Sequence, residues 1–314
     1  MQVTAVSQVA APVVAAIKPT VAVVPAAGFG TRLRPLTNSL PKEMLPVGRQ
    51  TALERIVDEL DAAGLRRVVF VLSPAKEALI RARFGDGDPA TGMEFAYVLQ
   101  REMRGLGDAV LRAEPYVGDS AAPFLVALGD AVFEEAMIGG LTGRLIADAV
   151  GAGAGVGVLV RRVERSLLAR YGVVRPAQTG GALGDGAFAI TDIVEKPAPD
   201  DAPSDFAASA RYLVTTEVFA ALRETPPGRN GEIEFTDAMR RLLAGGVGGC
   251  ATPLRTGERR HDLGNLTAYF EAFVAFALAD PECGDAVRRS LERHVRDRSD
   301  AQLEMPTRKE VIAE

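Results

Sequence analysis

A glycine-containing segment directly after the first predicted strand has the residue types needed to bind a phosphate group. Its members are Ala26, Ala27, Gly28, Gly30, Thr31 and Arg32. Glycines at a strand-to-helix turn let backbone N–H groups surround an anion. A dinucleotide fingerprint would place a third glycine where Leu33 stands, and a P-loop would place Lys-Ser/Thr where Thr31-Arg32 stand. Neither of these common phosphate motifs is therefore present.

Two cations follow the glycines closely. Arg32 comes directly after the loop, and Lys42 lies ten residues later in the segment Pro41–Pro46. A guanidinium fork and an ammonium point charge beside a glycine loop suit a triphosphate, whose charge must be neutralised. The alternative is a structural turn that carries surface cations.

Two carboxylates are candidate metal ligands. Asp130 follows the apolar run Phe124–Leu128, which places it at the carboxyl edge of a parallel sheet, where open α/β folds bind ligands. Mg²⁺ prefers one or two carboxylates completed by phosphate and water oxygens. Asp262, followed closely by Gly264, is the candidate second ligand. The alternatives are a loop cap at Asp130 and a tight turn at Asp262.

The hydrophobic pattern predicts the elements that position these residues. Continuous apolar runs predict strands, and apolar residues at helical spacing alternate with them. Thr51 and Glu54 have the spacing of a capping box, and Gly64 marks the end of that helix. The predicted strands are Val21–Pro25, Val68–Leu72, Glu94–Leu99 and Phe124–Leu128, with helices near Pro74–Arg83 and Gly107–Ala113. This alternation predicts an α/β fold with a mixed, mostly parallel sheet flanked by helices.

The second half of the chain changes character. Its predicted strands are broken by glycine, and its helices are shorter. The strands are Val156–Arg161, Gly172–Arg175, Phe188–Glu195 and Ala208–Val214, and the helices are Glu217–Leu222 and Glu234–Leu243. A last amphipathic helix buries Leu266, Tyr269, Phe270, Phe273, Val274 and Ala277. Because no Pro/Ser-rich linker intervenes, we expect this half to extend the same sheet.

The domain prediction has three parts. Residues 1–18 form a flexible tail, and residues 281–314 form a charged C-terminal helix or tail. Residues 19–280 form one domain with two halves, 19–150 and 151–280. Gly180–Gly186 is predicted to be a hairpin or loop.

Composition excludes several classes of protein. The 314 residues include 36 Lys+Arg, 41 Asp+Glu, 2 Cys and 2 His, with a net charge of −5. Two Cys and two His residues are too few for a zinc site or a disulfide framework. Any metal must therefore be held by oxygen ligands. Nucleic-acid binding is not expected for an acidic chain. No apolar run is long enough to span a membrane, and a cytoplasmic location is expected.

The ordered motifs together resemble the sugar-1-phosphate nucleotidylyltransferases. The glycine loop continues as Gly-Thr-Arg-Leu-Arg-Pro-Leu-Thr and is followed by Pro-Lys-Glu-Met-Leu-Pro. The later motifs are Gly105–Gly107, Tyr171–Val174, Val194–Pro197, Glu232–Asp237 and His261–Asn265. The resemblance runs from Val21 to Ala277, is strongest to the members that use UTP and glucose 1-phosphate, and implies their Rossmann-like nucleotidyltransferase fold.

The resemblance implies that 19–150 is the nucleotide-binding half and 151–280 the sugar-binding half, and it gives each motif a role. Mg²⁺ would be held by Asp130 and Asp262. Glu195 would bind sugar hydroxyls, Lys196 the sugar phosphate, and Gly172 would allow close approach of the sugar. Gln100 and Gly105 would read the base. Because Glu195 and Lys196 are adjacent on a strand, their side chains should point to opposite sides and can serve different ligands. The alternative for this pair is a surface ion pair. The alternatives for Gly172 and Gln100 are a bulge and a solvated strand end.

The implied reaction is Mg-assisted in-line attack of glucose 1-phosphate on UTP, with Arg32, Lys42 and Lys196 as catalytic cations. A homo-oligomer, either a dimer or a tetramer, is expected. Two departures from the family pattern stand out: Asp108 occupies a position where His is usual, and Leu266 one where Lys is common.

Other functions compete with this one. One is thymidylyl or other nucleotidylyl transfer to a different sugar 1-phosphate. A second is a noncatalytic protein that binds nucleotide sugars. An NAD-dependent dehydrogenase is disfavoured by Leu33 and by Leu72-Ser73, where an acidic residue should end the second strand.

Overall fold

The predicted helix after Thr51 illustrates how the sequence fixes local structure. The Thr51 backbone N–H donates to Glu54 Oε2 at 2.7 Å, and the Glu54 N–H donates to Thr51 Oγ1 at 3.3 Å. This reciprocal capping box begins the helix at Ala52. Gly64 adopts a left-handed φ of 93° just after the helix.

The computed structural model of the protein describes residues 18–118, 122–177, 186–228 and 230–303. The strands are β1 Val21–Pro25, β2 Pro46–Val47, β3 Gln50–Thr51, β4 Arg67–Leu72, β5 Gly87–Asp88, β6 Met93–Leu99, β7 Phe124–Ala127, β8 Ala131–Glu134, β9 Val156–Arg162, β10 Gly172–Pro176, β11 Phe188–Glu195, β12 Phe206–Val214, β13 Gly249–Pro253 and β14 Arg259–Asp262. The helices are α1 Ala52–Ala62, α2 Pro74–Phe84, α3 Leu106–Arg112, α4 Glu114–Val117, α5 Gly140–Gly151, α6 Glu217–Glu224, α7 Phe235–Ala244, α8 Leu266–Leu278 and α9 Gly284–Leu303.

The chain divides into two compact units that interleave along the sequence. The first holds the described residues of Met1–Gly28, Val57–Leu128 and Glu135–Thr256, and the second those of Phe29–Ile56, Gly129–Glu134 and Gly257–Glu314. The assignment of nucleotide- and sugar-binding halves about residue 150 stays a prediction. The predicted N-terminal tail and most of the predicted Gly180–Gly186 loop lie outside the described residues.

The first unit contains a sheet in the order β10-β11-β13-β9-β12-β7-β1-β4-β6-β5. Strands β7, β1, β4 and β6 are mutually parallel, whereas β12 is antiparallel to both β7 and β9. The mixed α/β class is confirmed. Antiparallel pairs are more numerous than the predicted mostly parallel sheet implied, because β12 pairs antiparallel with β7, β9 and β10, and β11 pairs antiparallel with β10 and β13.

The core of the first unit lies between this sheet and the helices α3, α6 and α7. Apolar side chains of these helices pack with those of β1, β4, β7, β9 and β12. Parallel strands buried on both faces require continuous apolar sequences, and β4 meets this requirement from Val68 to Leu72. The carboxyl ends of β1, β4 and β6 are thereby held side by side.

In the second unit, β8 pairs antiparallel with β14, and β2 pairs with β3. Helix α8 is anchored by Tyr269, whose hydroxyl donates to the Pro46 carbonyl at 3.0 Å. The predicted buried face of α8 was wrong in part, because Phe270 is 55% exposed and Phe273 38% exposed. The helix is apolar on most sides, so its composition could not identify the buried side. No helix in the described part of the chain has the length and apolar character that crossing a bilayer requires.

Candidate functional site

The loop after β1 is held by a lysine that the sequence analysis did not single out. Ala26 donates its N–H to the Val71 carbonyl at 2.8 Å, at the end of β4. The Nζ of Lys76, on α2, donates to the carbonyls of Ala26 at 2.7 Å and Gly28 at 2.5 Å. Ala26, Ala27 and Lys76 are buried, whereas Gly28 is exposed. Because Lys76 binds the loop carbonyls, the loop is fixed from within the fold. The sequence around Lys76 carries no signal of this role, since its burial is set by the tertiary fold.

Across the end of β4 from this loop lies Gln100. Its N–H donates to the Leu72 carbonyl at 2.8 Å, and its side-chain Nε2 donates to Gly105 O at 3.0 Å and Asp108 Oδ2 at 2.8 Å. Gln100 is 3% exposed, so the alternative of a solvated strand end was wrong. Gln100 is buried by packing against residues distant in sequence at the edge of the sheet. The pattern of residues within one strand could not predict this burial.

A second group of site residues lies at the end of β11. Lys196 Nζ is 2.8 Å from Glu195 Oε1 and 3.5 Å from Glu234 Oε1. The prediction that Glu195 and Lys196 point to opposite sides was wrong, because β11 ends at Glu195 and Lys196 has a left-handed φ of 44° that turns its side chain back. Thr236 Oγ1 donates to Glu195 Oε2 at 2.8 Å.

Burial and neighbouring charges shift the pKa values of Lys196 and Glu234. Burial alone would lower the pKa of Lys196, but the adjacent carboxylates of Glu195 and Glu234 raise it above its ordinary value. Burial, and then the charge of Glu195, raises the pKa of Glu234. Lys196 is therefore a half-exposed cation paired with carboxylates, as the ion-pair alternative predicted. Its binding of a phosphate stays a prediction. Glu234 and Thr236 were quoted only as part of a motif and received no role from the sequence.

Gly172 lies beside this group. A Cβ at position 172 would be 2.8 Å from Thr236 Cγ2 and 3.4 Å from Glu195 Oε2. The irregularity of β10 occurs at Arg175/Pro176 rather than at Gly172. The glycine is therefore explained by close approach of neighbouring side chains and not by a bulge.

Hydrogen bonds join the base-side turn to the acidic segment. Ile233 N donates to Arg104 O, and Gly107 N donates to Ile233 O, both at 2.7 Å. A Cβ at position 105 would be 2.8 Å from the Ile233 carbonyl oxygen, and Gly105 has a φ of 96°. Both the space and the conformation require glycine at this position. The structure thus links Gln100 and Gly105 with the segment that carries Glu234 and Thr236.

The second unit holds the predicted metal ligands and one predicted cation together. Lys42 Nζ lies 2.5 Å from Asp130 Oδ2. Asp262 is opposite Ala131 in the β8–β14 pair, and Leu263 N donates to Asp130 O at 2.8 Å. Asp130, which directly precedes β8, and Asp262, which ends β14, are therefore neighbours although 132 residues separate them in sequence.

Opposite charges stabilise the ionised state of this group. Burial would raise the pKa of Asp130, but the charges of Lys42 and Arg260 hold it below its ordinary value. Burial would lower the pKa of Lys42, but the charges of Asp130 and Glu43, with a smaller contribution from Asp262, raise it. At neutral pH both partners are ionised.

The donor set fits a hard divalent cation. Asp130 and Asp262 offer carboxylate oxygens, which Mg²⁺ prefers. The described residues contain no cluster of three or more His, Cys, Asp or Glu side chains suited to a metal. A cation held by these two carboxylates would take its remaining ligands from phosphate and water oxygens.

The rest of the glycine loop also belongs to the second unit. Gly30 has a left-handed φ of 64°, and its carbonyl accepts a 2.9 Å hydrogen bond from Thr37 Oγ1. Thr31 and Arg32 are in a short 3₁₀ turn and are exposed. The structure gives Arg32 no ion-pair partner among the described residues, so its guanidinium is open to a ligand.

Comparison with known proteins gives consistent matches. A family model described as nucleotidyl transferase matches residues 21–277. A UTP–glucose-1-phosphate uridylyltransferase of Pseudomonas aeruginosa is 34% identical over 267 residues, covering 79% of this chain and 92% of the relative. The enzyme of that name from Streptococcus pneumoniae serotype 4 is 33% identical over 297 residues, covering 86% and 94%.

Solved structures agree with these matches. A UDP-glucose pyrophosphorylase from Acinetobacter baumannii has a TM-score of 0.76 and 26% identity, covering 88% of this chain and 99% of its own. A UDP-glucose pyrophosphorylase complexed with UDP-glucose has a TM-score of 0.74 and 29% identity, covering 83% and 100%.

Proposed function

Since the chain belongs to the nucleotidyl transferase family, we propose that it transfers a uridylyl group from UTP to glucose 1-phosphate and releases pyrophosphate. The resemblance predicted from the motifs is confirmed. Family membership disfavours the dehydrogenase. The noncatalytic alternative is disfavoured because the chain keeps Asp130, Asp262, Lys42 and Lys196. The expected homo-oligomer and cytoplasmic location stay predictions.

The observation that carries this proposal is the ion pair of Lys42 with Asp130, beside Asp262. A cation and two carboxylates in one group can receive a triphosphate together with its metal. The family generally uses a divalent metal, and we propose Mg²⁺ on Asp130 and Asp262. When bound, Mg²⁺ neutralises phosphate charge and withdraws electron density from phosphorus.

The reaction needs no protein nucleophile, because the phosphate of glucose 1-phosphate is already an anion at neutral pH. A new bond forms between a sugar-phosphate oxygen and the α-phosphorus of UTP, and the bond from that phosphorus to pyrophosphate breaks. The chain's residues hold the two polyanions in line and cancel their repulsion. Arg32 and Lys42 would neutralise the triphosphate, and Lys196 the sugar phosphate.

Other residues would bind the substrates. We propose that Glu195 accepts hydrogen bonds from sugar hydroxyls and that Gly172 allows the sugar to approach the backbone. The loop of Ala26, Ala27, Gly28, Gly30 and Thr31 would contact the nucleotide. Gln100 and Gly105 would contact the base, since they lie across the end of β4 from Ala26.

The test is pyrophosphate release with each of UTP, dTTP, CTP and ATP, with glucose 1-phosphate and Mg²⁺. UTP should give the highest kcat/KM, and omitting Mg²⁺ should abolish release. Galactose 1-phosphate is the matched control for the sugar, because it differs only at the configuration of one hydroxyl. A higher kcat/KM with dTTP would instead favour thymidylyl transfer.

A further inference from the structure

The amide of Gln100 is fixed in one orientation by its neighbours. Nε2 carries two hydrogens, and both are directed at acceptors, Gly105 O at 3.0 Å and Asp108 Oδ2 at 2.8 Å. The opposite orientation would place Oε1 against the same two acceptors, which cannot donate to it. No donor among the described residues bonds Oε1, so Oε1 is the amide atom left for a ligand.

Asp108 is itself held in place. Arg112, one turn later on α3, donates from Nε to Asp108 Oδ2 at 2.9 Å and from Nη2 to Oδ1 at 3.2 Å. Asp108 is 4% exposed, whereas the Arg112 side chain is 33% exposed. This two-point pairing fixes the carboxylate with one oxygen towards Gln100. Position 108 is also where the sequence departs from the family pattern, which usually has His.

We propose that Asp108, supported by Arg112, is a positioning residue that sets base selectivity by fixing which atom Gln100 presents. The inference rests on the proposed contact of Gln100 with the base. Uracil and thymine carry a hydrogen on N3 and can donate it to Oε1. Cytosine has an unprotonated N3, which would face Oε1 as a second acceptor. The fixed amide therefore accepts UTP and dTTP and rejects CTP, and it does not distinguish uracil from thymine.

The experiment compares the dissociation constants of UTP and CTP by calorimetry. Binding is measured without turnover, so a failure of the proposed transfer reaction leaves this test intact. In D108L the amide can rotate and present Nε2 to cytosine, and the CTP-to-UTP ratio of dissociation constants should fall at least tenfold. D108N keeps an acceptor for Nε2 and should retain most of the ratio. A structural defect at this buried position would instead raise the dissociation constants of UTP and CTP by the same factor and leave their ratio unchanged.

Two further variants complete the test. R112M alters a partly exposed side chain and should lower the ratio about threefold, which provides a measurement if D108L does not fold. The double variant Q100A/D108L should have the same ratio of dissociation constants as Q100A alone. An unchanged ratio in both D108L and R112M, or in R112M alone where D108L does not fold, overturns the inference. An unchanged ratio in Q100A contradicts the proposed base contact and removes this inference with it.

Discussion

Thr236 donates a hydrogen bond from Oγ1 to Oε2 of Glu195 at 2.8 Å, across 41 residues of sequence. Because Lys196 engages the other carboxylate oxygen, both oxygens of Glu195 are held before any sugar binds. A carboxylate held in this way has little conformational freedom left to lose when a substrate binds.

Replacing Thr236 with Val should therefore raise the KM for glucose 1-phosphate by about tenfold or more, since a hydrogen bond to a charged group contributes about 1.5–3 kcal/mol. Val preserves the shape and removes only the donor. Initial rates at varied glucose 1-phosphate measure the effect. Thr225→Val is the matched control, because the Thr225 hydroxyl donates only to the Ala221 carbonyl within its own helix end. Equal effects from the two variants would contradict a role for Thr236 in positioning Glu195.

The two lysines should have separable effects. Lys196→Ala should weaken glucose 1-phosphate much more than UTP, because Lys196 lies with the acidic residues at the end of β11. Lys42→Ala should mainly weaken UTP, because Lys42 pairs with Asp130. Calorimetric titrations of each substrate separate the two effects. Indistinguishable losses for both substrates in both variants would reject the assignment.

Asp130→Asn should fold normally and lose about two orders of magnitude or more in turnover, on the scale of removing one preorganised electrostatic group. The substitution keeps the shape and removes the negative charge that binds Lys42 and the proposed metal. Turnover is measured across a range of Mg²⁺ concentrations, with circular dichroism to verify folding. Asp205→Asn is the control, since Asp205 forms an exposed ion pair with Arg162. Turnover near that of the unaltered protein would exclude Asp130 as a metal ligand.

Local signals were sufficient for much of the framework in both units. The buried strand β4 and the capping box at Thr51 follow from hydrophobic runs and hydrogen-bonding side chains within a few residues. The pairing of β8 with β14 could not be predicted in this way. Its strands are four residues each and are separated by more than a hundred residues, so only the tertiary fold identifies them as partners.

The residues of the candidate site also divide into those that local motifs predict and those that only the tertiary fold reveals. Lys42, Asp130 and Asp262 were identified from motifs, and the structure brings them together in one unit. Lys76, Asp108 and Thr236 were not assigned roles, because each acts on a residue that its own local pattern does not reveal. Sequence reasoning found groups that can bind ligands and missed the residues that orient those groups.

The two cysteines should differ sharply in reactivity. Burial raises the pKa of Cys250 to about 11, whereas Cys283 is exposed. The thiolate is the reactive form, so Cys250 should react with an aromatic disulfide reagent at pH 8 far more slowly than Cys283. Its rate should rise about tenfold per pH unit until the pH approaches 11. Cys283→Ser should abolish the fast reaction at pH 8, and a remaining fast thiol would contradict the burial of Cys250.

The strongest stability effect should come from the buried pair of Glu59 and Arg211. Arg211 is fully buried, and its Nε and Nη2 donate to Glu59 Oε1 and Oε2 at 2.8 and 2.6 Å. Thr142 Oγ1 donates to the same Oε1 at 2.5 Å. Glu59→Gln would remove the negative charge that Glu59 places against the buried guanidinium, and breaking such a pair costs about 3–5 kcal/mol of unfolding free energy.

Denaturant unfolding of this variant measures the loss, with Glu114→Gln as the matched control. Glu114 pairs with Arg223 at 2.6 Å, but both side chains are substantially exposed, and exposed pairs contribute about 0–1 kcal/mol. The same chemical change should therefore produce a large loss at position 59 and a small one at position 114. Similar losses at both positions would show that burial does not control the energetics of these ion pairs.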